Sequence, residues 1–359
     1  MWAWVLACQA PVDSDVVDTD VVDTDVADER FADVTRQLDV AFAANDVAIP
    51  GLGLRVYDAE DRLVYAHTAG AFSFDDRLAV ASASKLVSGL VLLKLVHDGA
   101  LLLDDTTADH LGWTGGLGEI TVDQLGAFTS GLDPENPCVY RSKLTLEGCV
   151  ATIGAADPVA GPGSRFDYGS THLQVAGRIA EVATGASWHE AFVGLAAPLG
   201  LADPGLVYTS LPKLEAAASP NPLVAGGLRA TSTEYAAFLA LAFHEGRRGD
   251  DVLIRADLVH RLDRNDYIAA VQGERPTSVV PLDYRYGFTS WLACEGPVAT
   301  CPVVGSPGAY GFTPWFDREH GYYAILAMES PELGGSEFAV PLWVDLQAAI
   351  GAAIGRDPG

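Results

Sequence analysis

Segments that read as β-strands gather at the two ends of this chain, while residues 81–279 between them read mostly as helix and loop, with many Pro and Gly. The early runs are Gly51–Asp58 and Arg62–Ala71, parted by the turn-like Ala59-Glu60-Asp61. The late ones are Tyr286–Cys294, Thr300–Val304 and Gly321–Met328. Two isolated strands cannot bury their faces, so the sheet has to be assembled from both termini, with the middle of the chain inserted as a helical region. Phe31, Val34, Leu38, Phe42 and Ala43 recur at helical spacing and open the folded part, and a helix over Val340–Ile354 closes it. The expected class is α/β in the broad sense (α+β): an antiparallel sheet flanked by helices, from about 31–80 and 280–359, around a mostly helical part at about 81–279. A site between sheet and insertion is the natural consequence of that plan.

The 359 residues are enough for a large core, and no run of eighteen uninterrupted apolar residues suggests a membrane span. The net charge of −26 disfavours nucleic acid and anionic membrane surfaces as partners. Residues 1–30 carry −7 of it, and Val16-Val17-Asp18-Thr19-Asp20 recurs as Val21-Val22-Asp23-Thr24-Asp25. Repelling carboxylates with no face to bury make an extended acidic tether. Just before it, Val5-Leu6-Ala7-Cys8 is similar to a lipobox, with Cys8 as the lipidated residue. Met1–Ala7 is shorter than a complete signal peptide and lacks a basic start, so an ordinary start with a chance Cys is the alternative.

Cys138 lies near Cys149, and Cys294 near Cys301. Neither pair has the spacing of a zinc knuckle and no HExxH string occurs, so no metal or other cofactor is expected. Two local disulfides are the natural reading, which places the protein in an oxidising compartment, periplasmic or extracellular, with a lipid anchor if Cys8 is modified. Four free thiols in a cytosolic protein are the other reading.

The chemistry concentrates at Ser82-Ala83-Ser84-Lys85, which opens an apolar helix running to about Gly99. Residues three apart share a helical face, so Ser82 and Lys85 can touch. An amine kept from water is a competent base for a neighbouring hydroxyl, and a helix start favours developing negative charge. The chain has four lysines, yet a second S-x-x-K occurs, Ser210-Leu211-Pro212-Lys213. Its Pro and the lack of an apolar run put it in a loop, where it reads as coincidence.

Further blocks follow in order: Val96-His97-Asp98-Gly99 with Leu101–Asp105, Thr129-Ser130-Gly131-Leu132, Pro162-Gly163-Ser164-Arg165-Phe166-Asp167-Tyr168-Gly169-Ser170, and Pro198-Leu199-Gly200-Leu201. With the Ser82 motif they resemble the serine hydrolases related to class C β-lactamases, D-alanyl-D-alanine peptidases and family VIII-type esterases, from about Phe31 to Ile354. The resemblance implies a β-lactamase/transpeptidase-like fold, Ser82 as nucleophile, Lys85 as base and Tyr168 as proton relay. It also implies an oxyanion hole from the N–H groups of Ser82 and Ala309, and Ser170, Ser306, Gly308 and Tyr310 against the substrate. Ser170 stands where Asn is usual. Gly305-Ser306-Pro307-Gly308-Ala309 replaces the K-T-G or H-x-G that the family carries on an edge strand, and it brings no cation. The expected activity is acyl-enzyme hydrolysis of a small ester or amide, a neutral ester above all. The alternatives are a peptidase or β-lactamase on cell-wall-type substrates, and a non-catalytic envelope binding protein. Trp291, Trp315, Tyr310 and Phe312 are candidates for an aromatic wall, and His172 for a satisfied structural histidine.

Overall fold

The two ends of the chain meet at β1 (Gly51–Asp58), which pairs antiparallel with β2 (Leu63–Gly70) on one side and with a strand from the far end of the sequence on the other. The computed structural model describes residues 29–45, 47–266, 270–282, 285–294 and 300–355; the acidic tether and Cys8 lie outside the described residues. The late strands are β3 (Arg285–Tyr286), β4 (Trp291–Leu292), β5 (Val303–Gly305), β6 (Thr313–Asp317) and β7 (Tyr322–Met328). They join β1 and β2 in one antiparallel sheet, ordered β3-β4-β5-β6-β7-β1-β2. Leu54 of β1 sits opposite Leu326 of β7, and every residue of β7 is buried. This is the sheet built from both termini that the strand-like runs imply.

Two details differ from the sequence reading. The run Tyr286–Cys294 is broken into two short strands, because Gly287 and Thr289, the latter at φ +60°, turn the chain back and the Gly287 N–H bonds the Ser290 carbonyl at 2.9 Å. β6 was not foreseen as a strand: Pro314 interrupts its pattern, and a proline ordinarily argues against an interior strand. It is accommodated second from the start of β6, where its carbonyl accepts from Ser306 N–H at 3.1 Å.

Five helices matter for the site: α1 (Ala32–Ala44), α2 (Ser84–His97), α3 (Thr171–Thr184), α4 (Ser232–Phe243) and α5 (Gly335–Ile354). α5 is long and apolar enough to cross a membrane by length and composition, but it packs on β6, β7 and α1 with Trp343, Leu346 and Ile350 fully buried, as a core helix does. α2 is apolar all round and correspondingly enclosed, with α3 and α4 against it. A small second sheet joins Leu78–Ala79, Leu228–Ala230 and Val207–Tyr208, with the middle segment bonded to both others. Each of its strands leads into or out of a wall of the site.

Candidate active site

Ser82 does not sit in the first turn of α2 itself. It occupies a 3-10 turn, Ala81–Ala83, that feeds into the helix. Ala81 before it is held at φ +47°, a left-handed conformation that costs an L-residue ~1–2 kcal/mol. Surrounding bonds enforce it. Ser84 Oγ donates to the Ala81 carbonyl at 2.6 Å and accepts from Leu228 N–H at 3.0 Å, while Val80 N–H reaches the Leu228 carbonyl at 3.2 Å. Two buried phenols brace the start of α2: Tyr235 donates to the Ala83 carbonyl at 2.7 Å and Tyr208 to that of Ser84 at 3.2 Å. Ser82 is therefore mounted on strained, cross-braced backbone, a pattern associated with functional sites.

Lys85 is 2% exposed, and its Nζ lies 3.0 Å from Ser82 Oγ and 3.0 Å from the Ala225 carbonyl. Tyr168 is close but differently arranged than a hydroxyl relay suggests. The Lys85 Nζ stands 4.7 Å from the centre of the Tyr168 ring, and among the described residues no hydrogen bond joins the Tyr168 hydroxyl to Ser82 or Lys85. The ring packs 5.0 Å from Trp291 and 5.5 Å from Phe128, which fixes its face toward the amine.

Ser82, Lys85, Ser170, Ala309 and Tyr310 line a cavity of about 290 Å³. Ser170 Oγ donates to Glu135 at 3.2 Å. Ser306 and Gly308 are not on the cavity wall. Ser306 is buried and donates to the backbone carbonyl of Ser82 at 3.1 Å, so it holds Ser82 from behind. Gly308 is packed so closely that a Cβ there would lie 2.2 Å from the Val80 carbonyl oxygen. Their segment follows β5, an interior strand between β4 and β6, rather than an edge strand.

The remaining wall comes mainly from the loop dismissed as coincidence: Ser210, Leu211, Pro212, Lys213 and Leu214 all face the cavity. Lys213 is the second cation there, and its charge is already answered. Its Nζ donates to the Ser330 carbonyl and, at 2.8 Å, to that of Pro331; Glu329 is 3.8 Å away and the Tyr310 ring 4.2 Å. The S-x-x-K string itself was the signal for this loop, but its serine serves differently: Ser210 Oγ donates to the Asn221 carbonyl and meets Ser219 Oγ at 2.6 Å.

The aromatic wall is not assembled. Trp315 packs in the core against Trp343 and Phe312 against Tyr235, leaving Tyr310 as the one of the four on the cavity. Tyr140 joins it instead, donating to Glu135 at 2.9 Å. His172 is buried between Ser130 Oγ and the Asp167 carbonyl, 2.8 Å from each, and burial lowers it to about 4. The structure pairs Cys138 with Cys149 and Cys294 with Cys301. Among the described residues no cluster of three or more His, Cys, Asp or Glu is placed to hold a metal.

Comparison with known proteins agrees with this fold. A model of the Beta-lactamase family matches residues 36–349. A solved structure described as a putative beta-lactamase from Bacteroides dorei is 26% identical, superposes with a TM-score of 0.76, and covers 89% of this chain and 99% of its own. The hydrolase EstCE1, described as having promiscuous acyltransferase activity, shares the fold at 18% identity and a TM-score of 0.67, covering 92% of this chain and 99% of its own. Penicillin-binding protein 4 of Amycolatopsis lactamdurans is 29% identical over 173 residues, so the chain spans less than half the length of this curated relative, 44%, using 43% of its own. The chain belongs to the Beta-lactamase family and has its serine-hydrolase fold.

Proposed function

We propose that this family member is an esterase that cleaves small neutral esters through an acyl-enzyme on Ser82. The observation that carries the proposal is the contact of Lys85 with Ser82 at 3.0 Å, in a cavity whose other lysine, Lys213, is already engaged by the Ser330 and Pro331 carbonyls and Glu329. Lys85, in contact with Ser82 Oγ, takes its proton as Oγ attacks the carbonyl carbon. The N–H groups of Ser82 and Ala309 receive the oxyanion, the C–O bond to the alcohol breaks, and the proton passes to the leaving oxygen. Tyr168 borders that path as the family's relay. Water then enters by the same route and frees the acid.

Penicillins carry a carboxylate, and a cavity without an available cation has nothing to pair with it. Turnover of a chromogenic cephalosporin is therefore expected to be poor beside that of p-nitrophenyl acetate. The two disulfides support an oxidising compartment, and a periplasmic or extracellular location is part of the proposal. Labelling with a fluorophosphonate, read by intact mass, tests the nucleophile. One adduct on the wild type, absent from Ser82→Ala, is the expected result. A folded wild type that takes no adduct would leave the non-catalytic binding reading in its place.

A further inference from the structure

The two most exposed large apolar side chains among the described residues, Leu214 at 81% and Leu333 at 74%, both edge the catalytic cavity. They come from loops far apart in sequence, one following Val207–Tyr208 and the other between β7 and α5. A lone exposed leucine needs no explanation, but two converging on one opening form a patch of the kind that marks a ligand site. Lys213 ties the loops together by reaching from beside Leu214 to the carbonyls of Ser330 and Pro331, three and two residues before Leu333. The lips are thus fixed relative to each other, and the wall between them is made of Leu211, Pro212, Leu223 and Tyr310.

We infer that Leu214 and Leu333 are the specificity-determining lips of the site and hold the aliphatic chain of a medium-length acyl ester; this rests on the esterase reading above. Leu211, Leu214, Leu223 and Leu333 give the cavity beyond Ser82 and Lys85 an apolar lining, which suits the hydrocarbon part of an acyl group. At about 290 Å³ it is at the small end of ligand sites, which run roughly from 300 to 1,000 Å³. That suits one unbranched chain with its far end at the lips. Engagement of Lys213 by the Ser330 and Pro331 carbonyls suits a chain that ends in methyl rather than carboxylate.

The test is a series of p-nitrophenyl esters from acetate to decanoate, with wild type, Leu214→Ser, Leu333→Ser and the double variant. Both positions are exposed, so the fold should tolerate serine, and thermal unfolding checks this. Wild-type kcat/KM should climb by up to about fourfold per methylene until the chain passes the lips. In the double variant the octanoate-to-acetate ratio of kcat/KM should fall at least tenfold, with the change in KM. An unchanged ratio in a variant that still cleaves acetate overturns the inference and leaves the esterase reading standing. A wild type that cleaves none of the series and takes no fluorophosphonate overturns both.

Discussion

Gly308→Ala isolates the contact that sets the Gly305–Ala309 segment against Ser82. A Cβ on residue 308 would lie 2.2 Å from the Val80 carbonyl oxygen and 3.2 Å from that of Phe312. Carbon and carbonyl oxygen approach comfortably only to about 3.3 Å, so the Gly308–Val80 gap must open by about 1 Å. Neither side yields freely. Gly308 N–H is bonded to the Phe312 carbonyl at 2.8 Å and its own carbonyl accepts from Gly311 at 2.8 Å. Val80 is held to Leu228 at 3.2 Å, and its carbonyl accepts from Ala83 at 3.1 Å. Whichever side moves, Ala309 is displaced from Ser82, and the expected oxyanion donors part. Overpacking of this kind costs ~1–3 kcal/mol of stability, and a 1 Å misplacement in a site costs ~100-fold in rate. Steady-state cleavage of p-nitrophenyl acetate should show about a 100-fold loss, mostly in kcat, with a lower urea midpoint. Gly194→Ala, where an added Cβ meets nothing within 4 Å, is the control and should match wild type. Activity of Gly308→Ala within threefold of wild type would refute the idea that this close approach aligns the site.

Three further outcomes follow from the same contacts. Ser306→Ala removes the bond to the Ser82 carbonyl, worth about 1 kcal/mol, and should lower kcat about fivefold with little change in KM; an unaltered kcat would mean the other braces suffice. His172 is held neutral at about 4 by burial, below its ordinary 6.5, so the unfolded state binds the extra proton between those values. Its stabilisation is present above pH 6.5 and is lost as the pH falls toward 4; about 2 kcal/mol should be gone at pH 5 by urea unfolding, and His172→Gln should flatten that limb. Replacing Cys138 and Cys149 by Ser should cost about 2–3 kcal/mol for a loop this short. Because Tyr140 in the tethered turn lines the cavity, KM for esters should rise as well.

The parts of the fold that rest on side-chain pattern were legible. Alternation and apolar runs gave β1, β2 and β7, and the spacing of Phe31, Val34 and Leu38 gave α1, all three of them now buried. β6 was hidden because Pro314 breaks the pattern by which a strand is recognised, although its carbonyl completes the turn behind Ser82. At the site, Ser82 and Lys85 were legible because three residues of separation is enough to bring them together. Ser306 was assigned to the substrate from its place in a motif, but its burial and its bond to the Ser82 carbonyl belong to tertiary packing that spacing cannot report.

Ser210–Lys213 shows the opposite failure, where a correct local argument gave an incomplete conclusion. Pro212 does keep this S-x-x-K out of a helix, so Ser210 and Lys213 do not form a second nucleophile pair. The same irregularity frees the loop to cross the mouth of the cavity. Val207–Tyr208 delivers it there by pairing with Leu228–Ala230, which in turn pairs with the strand leading to Ser82. One small sheet thus registers Ser82 and the loop that edges its cavity. A change in that loop can alter which ester fits without moving the chemistry, since Lys85 is held from α2 and the Ala225 carbonyl rather than from the loop. On the proposed esterase reading, substrate preference and catalytic power fall to different segments, so Leu214 and Leu333 variants should shift KM along the acyl series while Gly308→Ala acts chiefly on kcat.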